Sequence, residues 1–123
     1  MKTTWPARIL TGLPVLFLAF DGAMKLVNPS PVREASAKLG LPDGVAPVLG
    51  VVLLVCLALY LMKRTAPLGA VLLTAFLGGA VAMHVRIGDP LATHVLMPVY
   101  VAVLLWGGLY LRDTRVRALV QGA

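Results

Sequence analysis

The chain has 123 residues, 59% of them hydrophobic and 13% charged, with a formal net charge of +6 at pH 7. Soluble domains are about 45–50% apolar with about a quarter of their residues charged, so too little polar surface is left here for a water-soluble globule, and lipid is the solvent this composition suits. The basic residues stand at the ends of apolar segments rather than on one soluble face, which removes nucleic acid from the partners. At roughly 20 apolar residues per span, four spans with short loops use nearly the whole chain. The expectation is therefore an all-α, integral membrane four-helix bundle, a single domain over 1–123.

The first span is expected over about 6–27. Lys2 and Arg8 followed by the apolar run Ile9 to Phe20 resemble a signal peptide, but Asp21-Gly-Ala-Met-Lys25 is a poor cleavage site. The segment is read as a retained helix, with Pro6 suited to its first turn. Asp21 and Lys25 are four apart and share a face, which Asn28 continues. At about 1.5 Å per residue, Asp21 lies roughly 20 Å beyond Arg8 and past the midplane. A charge at the bilayer centre costs about 2.5–3.5 kcal/mol on insertion scales. Lys25 can snorkel outward; Asp21 is too short and needs a partner.

Asn28-Pro-Ser-Pro31 ends this helix. A short interfacial helix is expected next, with Ser30 as N-cap, Pro31 in the first turn and Gly40 as the stop. Val32, Ala35 and Leu39 share one face, with Arg33, Glu34 and Lys38 elsewhere, as in a helix lying on a membrane. Leu41-Pro-Asp-Gly44 is turn material. The second span, about 45–62, is apolar all round. It contains the lone cysteine, Cys56, so the chain has no Cys-x-x-Cys and no dithiol chemistry of its own. Cys56 reads as a small core or lipid-facing residue.

Lys63-Arg64-Thr65-Ala66 is a tight cationic loop before the third span, about 67–85. Gly69, Ala70, Gly78, Gly79, Ala80 and Ala82 allow close backbone approach in lipid, which places this span at the centre of the bundle. Thr74 can bond back to its own helix or across to a neighbour. The fourth span, about 91–111, carries Pro98, expected to kink it or free a carbonyl, and a second small-residue pair, Gly107-Gly108. Arg112, Asp113, Arg115 and Arg117 read as a solvated tail.

Lys2, Arg8, Lys63, Arg64, Arg112, Arg115 and Arg117 fall on one side of such a bundle, seven against the four on the other, Lys25, Arg33, Lys38 and Arg86. The positive-inside rule then puts both termini of a multi-pass chain in the cytoplasm; in a bacterium, the inner membrane would hold it with the 84–94 stretch facing the periplasm or exterior. Trp5, Tyr60, Trp106 and Tyr110 fall near the same side, as an interfacial aromatic belt would.

The polar stretch His84-Val-Arg-Ile-Gly-Asp-Pro-Leu-Ala-Thr-His94 joins the last two spans. Alternating spans bring it to the outer side together with the far end of the first helix. That gathers Asp21, Lys25, Asn28, His84, Arg86 and His94 as ligand-binding candidates, with Arg86, His94, His84 and Lys25 as partners for Asp21. A structural reading has these groups neutralise one another and pin the helix ends, with Asp89 as N-cap and Pro90 in the first turn of the fourth span. A divalent metal is a second reading: His84, His94 and Asp21 offer two nitrogens and an oxygen, at a spacing that matches no strong metal signature. A quinone or other polar-headed lipophile is a third, its carbonyls accepting from His or Arg and its ring lying near Phe17, Phe20 or Tyr100. Proton relay and recognition of a partner protein stay open. The sequence holds no nucleotide-binding loop and no readable Ser-His-Asp arrangement, so no catalytic residue is assigned.

Phe20-Asp-Gly-Ala-Met-Lys-Leu26 with Pro29, then Leu39-Gly-Leu-Pro42, resembles the first half of the DoxX-like membrane proteins. Gly69-Ala-Val-Leu-Leu-Thr74, Gly78-Gly-Ala-Val-Ala82 and His84-Val-Arg-Ile-Gly-Asp-Pro90 resemble the second half. The resemblance implies a small four-helix bacterial membrane protein. It also implies a redox setting, since one relative belongs to a thiosulfate:quinone oxidoreductase and others are linked to redox homeostasis. The expectation is a quinone-linked redox component or accessory subunit with a polar site at the outer face, engaging quinone or a membrane redox partner. The alternatives are a non-enzymatic membrane subunit or assembly factor and a small-solute or proton pathway; a homo-oligomer is compatible with each.

Overall fold

The computed structural model describes residues 5–42 and 44–122, with the backbone alone at position 94. Lys2 and the side chain of His94, both singled out above, therefore lie outside the described residues. The described chain is all-helical: α1 (Trp5–Val27), α2 (Ser30–Lys38), α3 (Val45–Leu61), α4 (Ala66–Arg86), a π-helical turn (Leu91–Val95), α5 (Met97–Arg112) and α6 (Thr114–Gln121). Three segments are long and apolar enough to cross a membrane, Trp5–Val27, Ala66–Arg86 and Leu91–Arg112. The fourth apolar helix, α3, has 17 residues, about 26 Å at the usual helical rise.

These helices pack side by side in a closed order. α1 lies against α3 and α5, and α4 against the same two. The core they enclose includes Leu18, Leu53, Tyr60, Leu73, Leu105 and Leu109, all at most 2% exposed. The outward surface is also apolar: Leu16, Phe20, Val48, Val55, Leu68, Val71 and Val103 are all exposed. An apolar exterior this extensive is not that of a monomer in water; it is a surface matched to lipid.

Glycines set three of the helix contacts. A Cβ on Gly50 would stand 2.8 Å from the Gly22 carbonyl oxygen, so α1 and α3 cross there nearly backbone to backbone. A Cβ on Gly69 would run into the Tyr60 backbone, and one on Gly108 would stand 2.5 Å from Thr11 Oγ1. By contrast, Gly78 and Gly79 face open space. The small residues midway along the third span therefore do not place it at the centre; α4 occupies one corner like its neighbours.

Three further expectations are corrected. The fourth span is not one helix from 91. Val95 N–H donates to the Pro90 carbonyl (3.2 Å) and Leu96 N–H to that of Leu91 (3.0 Å), the wider i→i+5 pattern, before α5 begins. Pro98 lies in the first turn of α5, where its missing N–H is tolerated. Tyr60 is no belt residue: it is fully buried, and its hydroxyl donates to the Leu105 carbonyl at 2.5 Å. The tail is not merely solvated, because most of it folds into α6. Asp113 caps α6 by accepting from the backbone N–H groups of Arg115 and Val116, and Val116 is buried.

Thr74 makes both of its expected bonds. Its hydroxyl donates to the Ala70 carbonyl at 2.7 Å and accepts from the Trp106 indole N–H at 2.7 Å. Cys56 is buried in the core.

Candidate functional site

The helices alternate in direction, so the molecule has two polar ends. One holds α2, the end of α1, the start of α3 and the turn between α4 and α5; it is called the α2 end here. The other holds α6 and the loop between α3 and α4.

At the α2 end, local backbone geometry explains the side-chain pairing. α4 closes with Asp89 N–H donating to the His84 carbonyl (3.1 Å) and Gly88 N–H to that of Val85 (3.1 Å), with Gly88 at φ +73°. This is a Schellman motif, which requires the left-handed residue that glycine supplies. It folds residue 89 back over residue 84. The Asp89 carboxylate consequently meets His84 Nδ1 at 2.5 Å, with both side chains about a quarter exposed. Asp89 is therefore not the N-cap of the next element; Pro90 holds that position, without a side-chain cap.

α2 closes the same way. Leu41 N–H donates to Ser36 (2.9 Å) and Gly40 N–H to Ala37 (3.0 Å), with Gly40 at φ +77°. Gly40 is thus the stop expected of it, whereas Ser30 is the first residue of α2 rather than its cap. Arg86 joins the two motifs. Its guanidinium donates to the Leu39 carbonyl, and a Cβ on Gly40 would stand 2.7 Å from one of its nitrogens. Arg86 thus ties α4 to α2.

On α1, Lys25 Nζ meets Asp21 Oδ2 at 2.5 Å, the helical i,i+4 neighbour. Among the described residues, Lys25 is the partner seen of those foreseen for Asp21. The Lys25 stem lies against α3, its Cβ 3.0 Å from where a Gly50 Cβ would be. Asn28 ends α1 at φ +56°, a conformation asparagine tolerates. Its Oδ1 is buried and has no hydrogen-bond partner among the described residues.

The sequence candidates thus form an α1 set (Asp21, Lys25, Asn28) and an α4 set (His84 with Asp89, and Arg86 turned to α2). Among the described residues, no three His, Cys, Asp or Glu side chains converge as a metal site would need. Phe17 and Phe20 are exposed on α1. The Tyr100 hydroxyl donates to the Ala92 carbonyl (3.1 Å) beside the π-helical turn.

Sequence reasoning missed a groove between α4 and α5, about 450 Å³ and almost wholly apolar, with Gly78 and Val81 on one wall and Pro98, Ala102 and Trp106 on the other. The open side of Gly78 is its only sequence trace, and a glycine that packs a helix looks the same in sequence. Val81 lies about one helical turn before His84, and neither His84 nor Asp89 lines the groove.

No curated protein and no solved structure matches the chain. A family model does, over residues 9–108, a stretch that takes in the whole α2 end and stops short of Arg112 and α6. On that match the chain belongs to the DoxX-like family.

Proposed function

We propose that the chain is a four-span DoxX-like protein of the bacterial inner membrane, with both termini cytoplasmic. In this reading it is a quinone-linked redox component or accessory subunit whose α2 end, on the outer side, receives the quinone head group. The excess of Lys and Arg at the α6 end supports the orientation. The match of α3 to the other apolar helices in composition and packing supports the fourth span.

The single observation that carries the ligand reading is the apolar groove between α4 and α5, lined by Val81, three residues before His84 and its partner Asp89. Ligand sites are typically apolar clefts with a few convergent polar groups. The donor beside the groove suits a quinone: the imidazole of His84 would donate to a carbonyl oxygen, and Asp89 would orient the ring. The quinone would supply the electron-carrying chemistry, and the protein would bind and orient it.

Solvent extraction of protein purified in mild detergent tests this reading. A near-equimolar quinone that falls sharply in a folded Asp89→Asn variant supports it. Protein with neither extractable quinone nor thermal stabilisation by added quinone contradicts it.

A second reading is a non-enzymatic subunit or assembly factor. It is favoured by α2, which has no buried residue and leaves Arg33 and Glu34 exposed for a partner protein.

A further inference from the structure

We propose that the α6 end holds an anionic phospholipid, its phosphate on Arg8 and Arg112 and the first part of an acyl chain in the groove beside α1. The proposal rests on the membrane setting and is independent of the quinone reading, which concerns the opposite end.

A groove of about 220 Å³ opens along one face of α1, where Ala7, Gly12 and Val15 meet the last residue of α3, Leu61. Its surface is almost wholly apolar, and Arg8, Thr11 and Arg112 are among the residues that line it. An apolar slot that two arginines help to line is complementary to a molecule that is greasy along its length and anionic at its head. A free anion would gain nothing from the slot, and a neutral lipid nothing from the arginines.

Arg112 is fixed and only partly used. Its guanidinium carbon lies 4.8 Å from the centroid of the Tyr60 ring, and one terminal nitrogen donates to the Tyr60 carbonyl at 3.2 Å. Its Nε is buried and has no acceptor among the described residues, and the Thr11 hydroxyl is in the same condition. Buried donors left without acceptors are costly, more so when charged. A phosphate offers several strong acceptor oxygens, and arginine is suited to binding it through paired N–H groups. Lys63, Arg64, Arg115 and Arg117 lie at this same end, so its field attracts anionic head groups as well.

The test uses the full chain purified in neutral detergent, titrated separately with phosphatidylglycerol, phosphatidylcholine and inorganic phosphate. Melting temperature and lipid retained in native mass spectrometry are read for each. Wild type is expected to be stabilised by phosphatidylglycerol and to retain it, with little response to the other two. Arg8→Gln should weaken retention about five-fold, the worth of one basic residue at an anionic surface. Gly12→Leu should weaken it at least as much by filling the slot, and it leaves the fold intact because nothing lies within 4 Å of a Cβ there. Should Gly12→Leu nevertheless melt early without lipid, Arg8→Gln decides. Arg33→Gln, which removes a charge at the other end, should change nothing. Equal retention of phosphatidylcholine, equal stabilisation by inorganic phosphate, or undiminished retention in Arg8→Gln would overturn the proposal.

Discussion

The two polar ends of the molecule face the same physical task, ending apolar helices at a membrane surface, and they do it differently. At the α2 end, acid and base are paired: Asp21 with Lys25 and Asp89 with His84. One arginine, Arg86, then ties α4 to α2 through a backbone carbonyl. At the α6 end, arginines dominate and donate to backbone carbonyls. Arg115 donates to the carbonyls of Lys63 (2.5 Å) and Arg64 (3.3 Å) while holding Asp113, and Arg112 reaches that of Tyr60. Pairing neutralises charge in place and leaves partly exposed groups that a ligand can engage. Carbonyl anchoring preserves net positive charge, the property on which the proposed orientation and lipid site rest. The two ends thus differ in charge and in how their charged groups are held.

The largest expected effect lies at the α6 end, where backbones touch. Gly69→Leu forces a side chain into the Tyr60 backbone and should cost about 3 kcal/mol or prevent folding. Gly78→Leu meets nothing and should stay within about 0.5 kcal/mol. Thermal unfolding in detergent reads both, and equal losses would mean that the α3–α4 approach is not the tight one.

The next concerns the α2 end. Gly40→Ala must adopt φ +77° and displace the Arg86 guanidinium, a cost of about 2 kcal/mol. The loss should be local: amide exchange should accelerate in α2 and leave α3 unchanged. Acceleration throughout would show that α2 is part of the core rather than a strap across its end.

The smallest effect is a pH dependence at α6. The hydrogen bond from Arg115, helped by the backbone N–H groups of Arg115 and Val116, holds the Asp113 carboxyl below the ordinary carboxylate range. A lowered folded-state pKa contributes stability that is complete above the unfolded value, about 3.9, and lost as pH falls through the folded one. The stability difference between wild type and Asp113→Asn should therefore be a few tenths of a kcal/mol at neutral pH and vanish in acid below that range. A difference that instead grows as pH falls would contradict the capping role.

Much of this fold is legible in the sequence because lipid imposes simple rules. Length and hydropathy mark the apolar segments, and Pro and Gly mark their ends, as at Gly40. What the sequence hides is direction. Glycine reads alike whether it meets a neighbouring backbone, as Gly69 does, or open space, as Gly78 does. Tyr60 resembles a belt residue until its hydroxyl is seen bonded to Leu105. Asp89 before Pro90 has the look of a cap, and only the Schellman turn at Gly88 sends it back to His84. The amphipathic α6 is short and basic, so its charges conceal the periodic Val116.

The central claim is that the α2 end binds a quinone head group, and calorimetric titration of the purified protein with a short-tailed, water-soluble benzoquinone tests it most directly. The account predicts saturable one-to-one binding that is lost in His84→Gln but kept in Arg8→Gln at the other end. No saturable heat, or binding undiminished in His84→Gln, would contradict it.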